Sequence, residues 1–149
     1  VLGKSYAAYC NDQSDLDFRT DFNVSTYEFL AQSLATKNSV LNASAVVFRR
    51  REICEAISAT REDLLGWTIA GDWRLYVEIC KKDGKVAYLA SPLNKHRRHH
   101  GSVVGSNDLS NHLKEIVRMH EVVNKYIKKK ECVINRQLNY RKKIQSQIF

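Results

Sequence analysis

Five consecutive residues, His96-Arg97-Arg98-His99-His100, are the densest set of side chains in this chain that could do chemistry. Imidazoles titrating near neutrality can act as a general acid and base, and guanidinium groups can stabilise a phosphorane, which together describe a small basic nuclease. As a metal site the cluster is poor, because the intervening guanidinium groups repel a divalent cation and no carboxylate or thiolate is nearby in sequence. The plain expectation is a basic loop with no catalytic residue, no metal and no cofactor. Neither a G-x-G-x-x-G loop nor a Walker motif occurs.

A second set lies beyond it: Lys125, Lys128, Lys129, Lys130, Arg136, Arg141, Lys142 and Lys143, with Tyr126 and Tyr140 interleaved. Cationic chains of this kind track phosphates without reading sequence, and tyrosine rings offer stacking surfaces to bases. With Lys95, Arg97 and Arg98 from the histidine-rich stretch they form the candidate nucleic-acid-binding residues. The bland counterpart is a solvated charged helix face. Charge balance favours a polyanion: residues 94–149 hold 13 Lys and Arg against 4 Asp and Glu, whereas residues 1–93 hold 11 against 12. A near-neutral head thus carries a basic tail, suited to nucleic acid, an anionic membrane face or an acidic protein.

The elements that must position these groups follow from periodicity. The 149 residues are enough for one domain with a substantial core, and a single Pro with 6 Gly favours long regular elements. No apolar run reaches the length of about 18 residues that a transmembrane helix needs. Within residues 1–93, Leu16, Phe18 and Phe22 are expected anchors for the first segment. Ser25-Thr26-Tyr27-Glu28 reads as a capping box, with Val24 and Phe29 as its hydrophobic staple, opening a helix over 26–36. Apolar spacing of Val46, Val47, Ile53, Cys54 and Ile57 predicts a helix over 43–58, and Thr60-Arg61-Glu62-Asp63 starts a short third one that stops at Gly71. Alternation of Trp73, Leu75, Val77 and Ile79 with Arg74, Tyr76, Glu78 and Cys80 predicts a strand. The turn at Asp83-Gly84 returns it as a β-hairpin over 73–90. A His/Arg linker loop over 94–107 follows.

From residue 108 to the end there is neither Gly nor Pro. Leu109, Leu113, Ile116, His120, Val123 and Ile127 recur at spacings of four and three, a heptad-like seam over 109–127 that could receive a protein partner or a second copy. A continuous helix over 108–147 would be roughly 60 Å long, more than a small head spans, so the tail over 108–149 either folds back near Lys128 to Glu131 or projects. The fold class expected is α+β: a mostly helical head with one β-hairpin and a long basic C-terminal helical segment.

The order helix, helix, short helix, hairpin over residues 43–90 resembles the layout of a winged helix-turn-helix, with 61–70 in the place of the recognition helix. The resemblance rests on element order alone and covers about a third of the chain. It implies DNA contact by that helix, yet Arg61, Glu62 and Asp63 carry a net negative charge there, and a helix entering the major groove must approach phosphates.

Cys10, Cys54, Cys80 and Cys132 occur singly, without a C-x-x-C pair, and are expected to be reduced thiols in an intracellular protein. The sequons Asn23-Val24-Ser25 and Asn42-Ala43-Ser44 support the alternative, a secreted, disulfide-bonded helical protein acting through a receptor. The first expectation remains a non-enzymatic binding or assembly protein whose basic tail engages RNA or DNA without reading sequence, and the nuclease is the third.

Overall fold

The structure is a computed structural model describing residues 6–94, 109–128 and 130–147, with the side chain of Lys130 excepted. Along the chain run α1 (Tyr6–Asn11), β1 (Phe22–Ser25), α2 (Thr26–Phe29) continuing as a π-helical turn over Leu30–Leu34, a 3-10 turn (Ala43–Ala45), α3 (Arg50–Leu64), α4 (Gly71–Cys80), β2 (Lys85–Tyr88), α5 (Leu109–Asn124) and α6 (Lys130–Gln145). The architecture is mostly helical α+β with one two-stranded antiparallel sheet.

The sheet joins distant parts of the chain. Phe22 pairs with Tyr88, Asn23 with Ala87, Val24 with Val86 and Ser25 with Lys85, so β2 returns to β1 rather than to residues 73–80. One face of the pair is aromatic: Phe18, Phe22 and Tyr88 pack at centroid distances of 4.9–5.3 Å, and Leu16 and Phe18 are buried as expected. At the start of α2 the Ser25 hydroxyl accepts from the Glu28 amide at 3.1 Å, one half of the expected capping box. The other half is absent, because the Glu28 carboxylate accepts instead from Gln32 Nε2.

The expected strand at 73–80 is a helix. Both periods fit this sequence, but only the helical one places Trp73, Tyr76, Val77 and Cys80 on one buried side while Arg74 and Glu78, four apart, form an ion pair at 2.9 Å. The Glu115 carboxylate of α5 then holds the entry to α4, accepting from the amides of Thr68, Ile69 and Ala70 at 2.7, 3.0 and 2.7 Å. Gly71 therefore opens a helix instead of closing one. Nor does a helix start at Thr60: its hydroxyl donates to Ala56 O at 2.7 Å and α3 runs through it to Leu64. α3 begins later than expected, at Arg50, and buries Ala56 and Thr60, while Val47, Cys54 and Ile57 are exposed. Without a turn at 59–60 or a hairpin at 73–90, the winged-helix layout is not present.

The tail folds back. α5 and α6 pack against each other on either side of residues 125–128, and Asn124 and Gln137 exchange two amide hydrogen bonds of 3.1 Å. Ile116, His120, Val123 and Ile127 of the heptad-like seam are at most 2 % exposed because they pack into the core of their own chain. From Ile116 to Ile127 the seam is thus an internal surface, while Leu109 at its start is exposed and Leu113 is half-buried.

What they pack against is the end of α2. The π-helical turn, closed by the Ala35 amide on Leu30 O at 2.7 Å, leaves a rim of carbonyls free of helical partners. Four side chains satisfy them: Arg136 Nη2 donates to Ala31 O (2.9 Å), Trp73 Nε1 to Leu34 O (2.9 Å), Gln137 Nε2 to Ala35 O (2.8 Å) and His120 Nε2 to Thr36 O (2.8 Å). Just beyond, Ser39 O accepts from Tyr6 Oη at 2.7 Å.

Two predictions follow from this rim. Replacing Gln137, 1 % exposed, by Leu leaves Ala35 O and the Asn124 amide unsatisfied and should lower stability by about 2–4 kcal/mol in urea unfolding. For His120, burial pushes the imidazole down to about 4, with the Arg141 charge acting the same way and the Thr36 carbonyl opposing both. The unfolded chain takes up that proton first, so the contribution of neutral His120 is complete above about pH 6.5 and is lost as the pH falls towards 4. Wild type should lose about 2–3 kcal/mol between pH 7 and 4.5, and most of that loss should vanish in His120→Gln.

Candidate functional site

Two lysine-bearing turns that are far apart in sequence meet at one corner of the molecule. The first, between α4 and β2, carries Lys81, Lys82 and Lys85 and is tied to the start of α2: Thr26 Oγ1 donates to Lys82 O at 2.5 Å and the Thr26 amide to Gly84 O at 3.0 Å. A Cβ on residue 84 would lie 3.3 Å from Thr26 Cγ2, so a larger residue here requires that methyl to give by a few tenths of an ångström. The second turn, between α5 and α6, carries Lys125, Tyr126 and Lys128. Its Lys128 amide donates to Tyr27 Oη at 3.1 Å, and Lys81 Nζ lies 4.4 Å from the centre of the Tyr126 ring. Residues on both turns therefore share contacts with α2 or with each other.

Side chains at this corner fall into two groups. Lys81 is committed: Glu78 Oε1 and Oε2 accept from its Nζ at 2.8 and 2.9 Å, and although burial lowers the ammonium's affinity for its proton, the Glu78 carboxylate more than restores it. Lys82 is paired with Glu55, which also faces Arg51 at 3.8 Å. Lys85, Lys125 and Lys128 are exposed and have no ion pair among the described residues. Tyr27 and Tyr126 are each 40 % exposed. Arg49, which caps α3, and Arg50 and Arg51, which open it, are exposed and lie one turn before the Glu55 that pairs with Lys82.

Beside the corner a cavity of about 350 Å³ is lined by Asp63, Arg74, Arg118, Glu121, Val122, Lys125 and Tyr126. Its guanidinium groups are already engaged. Arg74 Nε meets Asp63 Oδ2 at 2.7 Å, Arg118 Nη2 meets Asp63 Oδ1 at 2.6 Å, and Arg118 also lies over the Trp67 ring at 4.3 Å. Burial pushes the Asp63 carboxyl up, but the hydrogen bonds from Arg74 and Trp67 and the two guanidinium charges outweigh it and hold the group below its ordinary value. This network fastens α3, α4 and α5 to one another rather than presenting donors to a ligand.

The candidate residues read from sequence are distributed unevenly. Lys125 and Lys128 stand at the corner. Lys95, Arg97, Arg98 and Lys129, together with His96, His99 and His100, lie outside the described residues; Lys130 begins α6, and its side chain is outside them too. Arg136 is a correction, for its side chain is 12 % exposed and is held by Asp15 at 2.8 Å and by Ala31 O. Lys143 is paired with Asp12, Arg141 is half-buried, and Lys142 is exposed in the last turn of α6, where a cation suits the helix dipole. Tyr140 is buried and offers no stacking face, whereas Tyr126 does.

Sequence reasoning missed Lys81, Lys82, Lys85 and Tyr27. Three lysines within five residues were a signal, hidden by the near-zero charge of the head as a whole. No group of His, Cys, Asp or Glu among the described residues could hold a metal ion, no described helix is long and apolar enough to cross a membrane, and all four cysteines are free thiols. Compared with known protein families, curated proteins and solved structures, the chain shows no match.

Arg136 and Lys142 separate the two fates of a tail cation. Arg136→Gln should lower stability by about 1–3 kcal/mol in urea unfolding, whereas Lys142→Gln should leave it within about 0.5 kcal/mol.

Proposed function

We propose that this chain is a non-enzymatic binding protein whose basic corner engages a polyanion, with nucleic acid the foremost candidate. The observation that carries the reading is the convergence of the α4–β2 and α5–α6 turns, with Lys85, Lys125 and Lys128 exposed there and without an ion pair among the described residues. Ammonium groups left unpaired in this way repel one another and gain no folding energy in return, a cost that a ligand's phosphates would relieve by releasing counterions. The three lysines are point charges on flexible stems, which suits backbone contact rather than sequence reading.

An intracellular setting belongs to the same reading. Cys10 and Cys80 are buried thiols, burial pushing them up to about 11 and about 12, and no two of the four cysteines are bonded. Free thiols of this kind are typical of a reducing compartment.

The test is a salt titration of binding to fluorescently labelled nucleic acid and to heparin. Wild-type affinity should fall steeply with salt, and the triple variant Lys85→Glu, Lys125→Glu, Lys128→Glu should bind at least about tenfold more weakly, its salt slope on a single strand reduced by about 2. Affinity that persists in half-molar salt, or that the triple variant retains, would sink the electrostatic account.

A further inference from the structure

The two tyrosines of the basic corner bear on which polyanion it receives. Tyr27 and Tyr126 are both 40 % exposed, yet neither is loose: the Tyr27 hydroxyl is held by the Lys128 amide at 3.1 Å, and one neighbour of the Tyr126 ring is the Lys81 ammonium at 4.4 Å. Lys81 is itself fixed by Glu78. Each ring is therefore held in place while a large part of its surface stays open to solvent, and each stands next to an unpaired lysine, Lys128 beside Tyr27 and Lys125 beside Tyr126. Solvent-facing aromatic rings already held by their neighbours lose little freedom on binding and present flat π surfaces to a ligand.

Such surfaces discriminate among polyanions. A duplex keeps its base faces stacked inside, and heparin and anionic lipids have no flat π face, so for these ligands the rings would add little beyond bulk. A single strand exposes its bases and can lay them on the rings while lysines follow its phosphates. Resting on the polyanion reading above, we infer that the ligand of this corner is single-stranded nucleic acid, RNA or DNA, bound by stacking on Tyr27 and Tyr126 together with phosphate contacts from Lys85, Lys125 and Lys128.

The experiment compares four labelled or competing probes at one salt concentration: oligo-uridylate, oligo-thymidylate, a DNA duplex of the same length, and heparin. Wild type should prefer the single strands to the duplex. The double variant Tyr27→Leu, Tyr126→Leu should weaken single-strand binding by at least about fivefold per ring while heparin affinity stays within about twofold. Tyr126→Phe, which keeps the ring and leaves the bond from the Lys128 amide to Tyr27 Oη intact, should bind single strands within about twofold of wild type. A duplex bound as tightly as the single strands, a comparison that needs no variant, overturns the inference and leaves the polyanion reading standing. Parallel loss of heparin and oligonucleotide in the leucine variant overturns it as well, since the rings would then only support the lysines. Failure of wild type to bind any of the four probes overturns both. A preference for uridylate over thymidylate or the reverse decides between RNA and DNA within the inference.

Discussion

The carbonyl rim at the end of α2 is the constraint around which the helices are arranged. A helix that ends inside a protein must find donors for its last carbonyls, because an unpaired buried carbonyl costs as much as several favourable contacts contribute. Here the donors come from everywhere else: Trp73 from α4, His120 from α5, Arg136 and Gln137 from α6, and Tyr6 from α1. The π-helical turn adds to the demand at Ala31, because the Ala35 amide that would ordinarily bond to its carbonyl bonds to Leu30 O instead. Apolar packing brings these elements together, but packing is tolerant of small shifts whereas a set of directed hydrogen bonds is not. The rim therefore fixes the register of α5 and α6 against the head.

That dependence changes what the basic segment is. Its charge suggests an appendage, but α5 and α6 supply Ile116, Met119, Val123, Val133 and Ile144 to the same core as Leu30, Trp73 and Val77. Head and tail are one folded unit among the described residues. Several cations of the tail are consequently used within the chain: Arg118 with Asp63, Arg136 with Asp15 and Lys143 with Asp12. The near-neutral head and the basic tail thus partly neutralise each other.

How much of this was legible depends on whether the signal was local. Ser25 as a helix cap, the burial of Leu16 and Phe18, the break in the tail and the α+β class all rest on neighbours in sequence, and each was readable. Trp73 to Cys80 was not, because its residues satisfy a period of 2 and a period of 3.6 at once. What decides between them is the Glu115 carboxylate, 45 residues from Ala70, gathering the amides that start α4. Thr60 failed for a related reason: a threonine followed by an acidic turn marks a helix start only if its hydroxyl is not already bonded to the preceding turn, as it is to Ala56. The heptad-like seam was read correctly as an apolar stripe and wrongly as an interface, since periodicity reports that a face is buried but not against what.

The basic corner has the same character as the rim. Neither turn carries a notable signal by itself: Lys81 to Lys85 reads as a solvated connection, and Lys125 to Lys128 as the frayed end of a helix. Thr26 and Tyr27, adjacent residues at the start of α2, each reach one of the two turns, Thr26 to Lys82 and Gly84 and Tyr27 to Lys128. The first residues of α2 thus gather the lysine turns while its last residues gather the helices. Since α6 is held to the far end of α2 by Gln137 and Arg136, the α5–α6 turn has little freedom to leave Tyr27. With the rim satisfied, the backbone of the α5–α6 turn is held beside Tyr27, so the points from which the lysine stems extend are set by the core and not by the ligand.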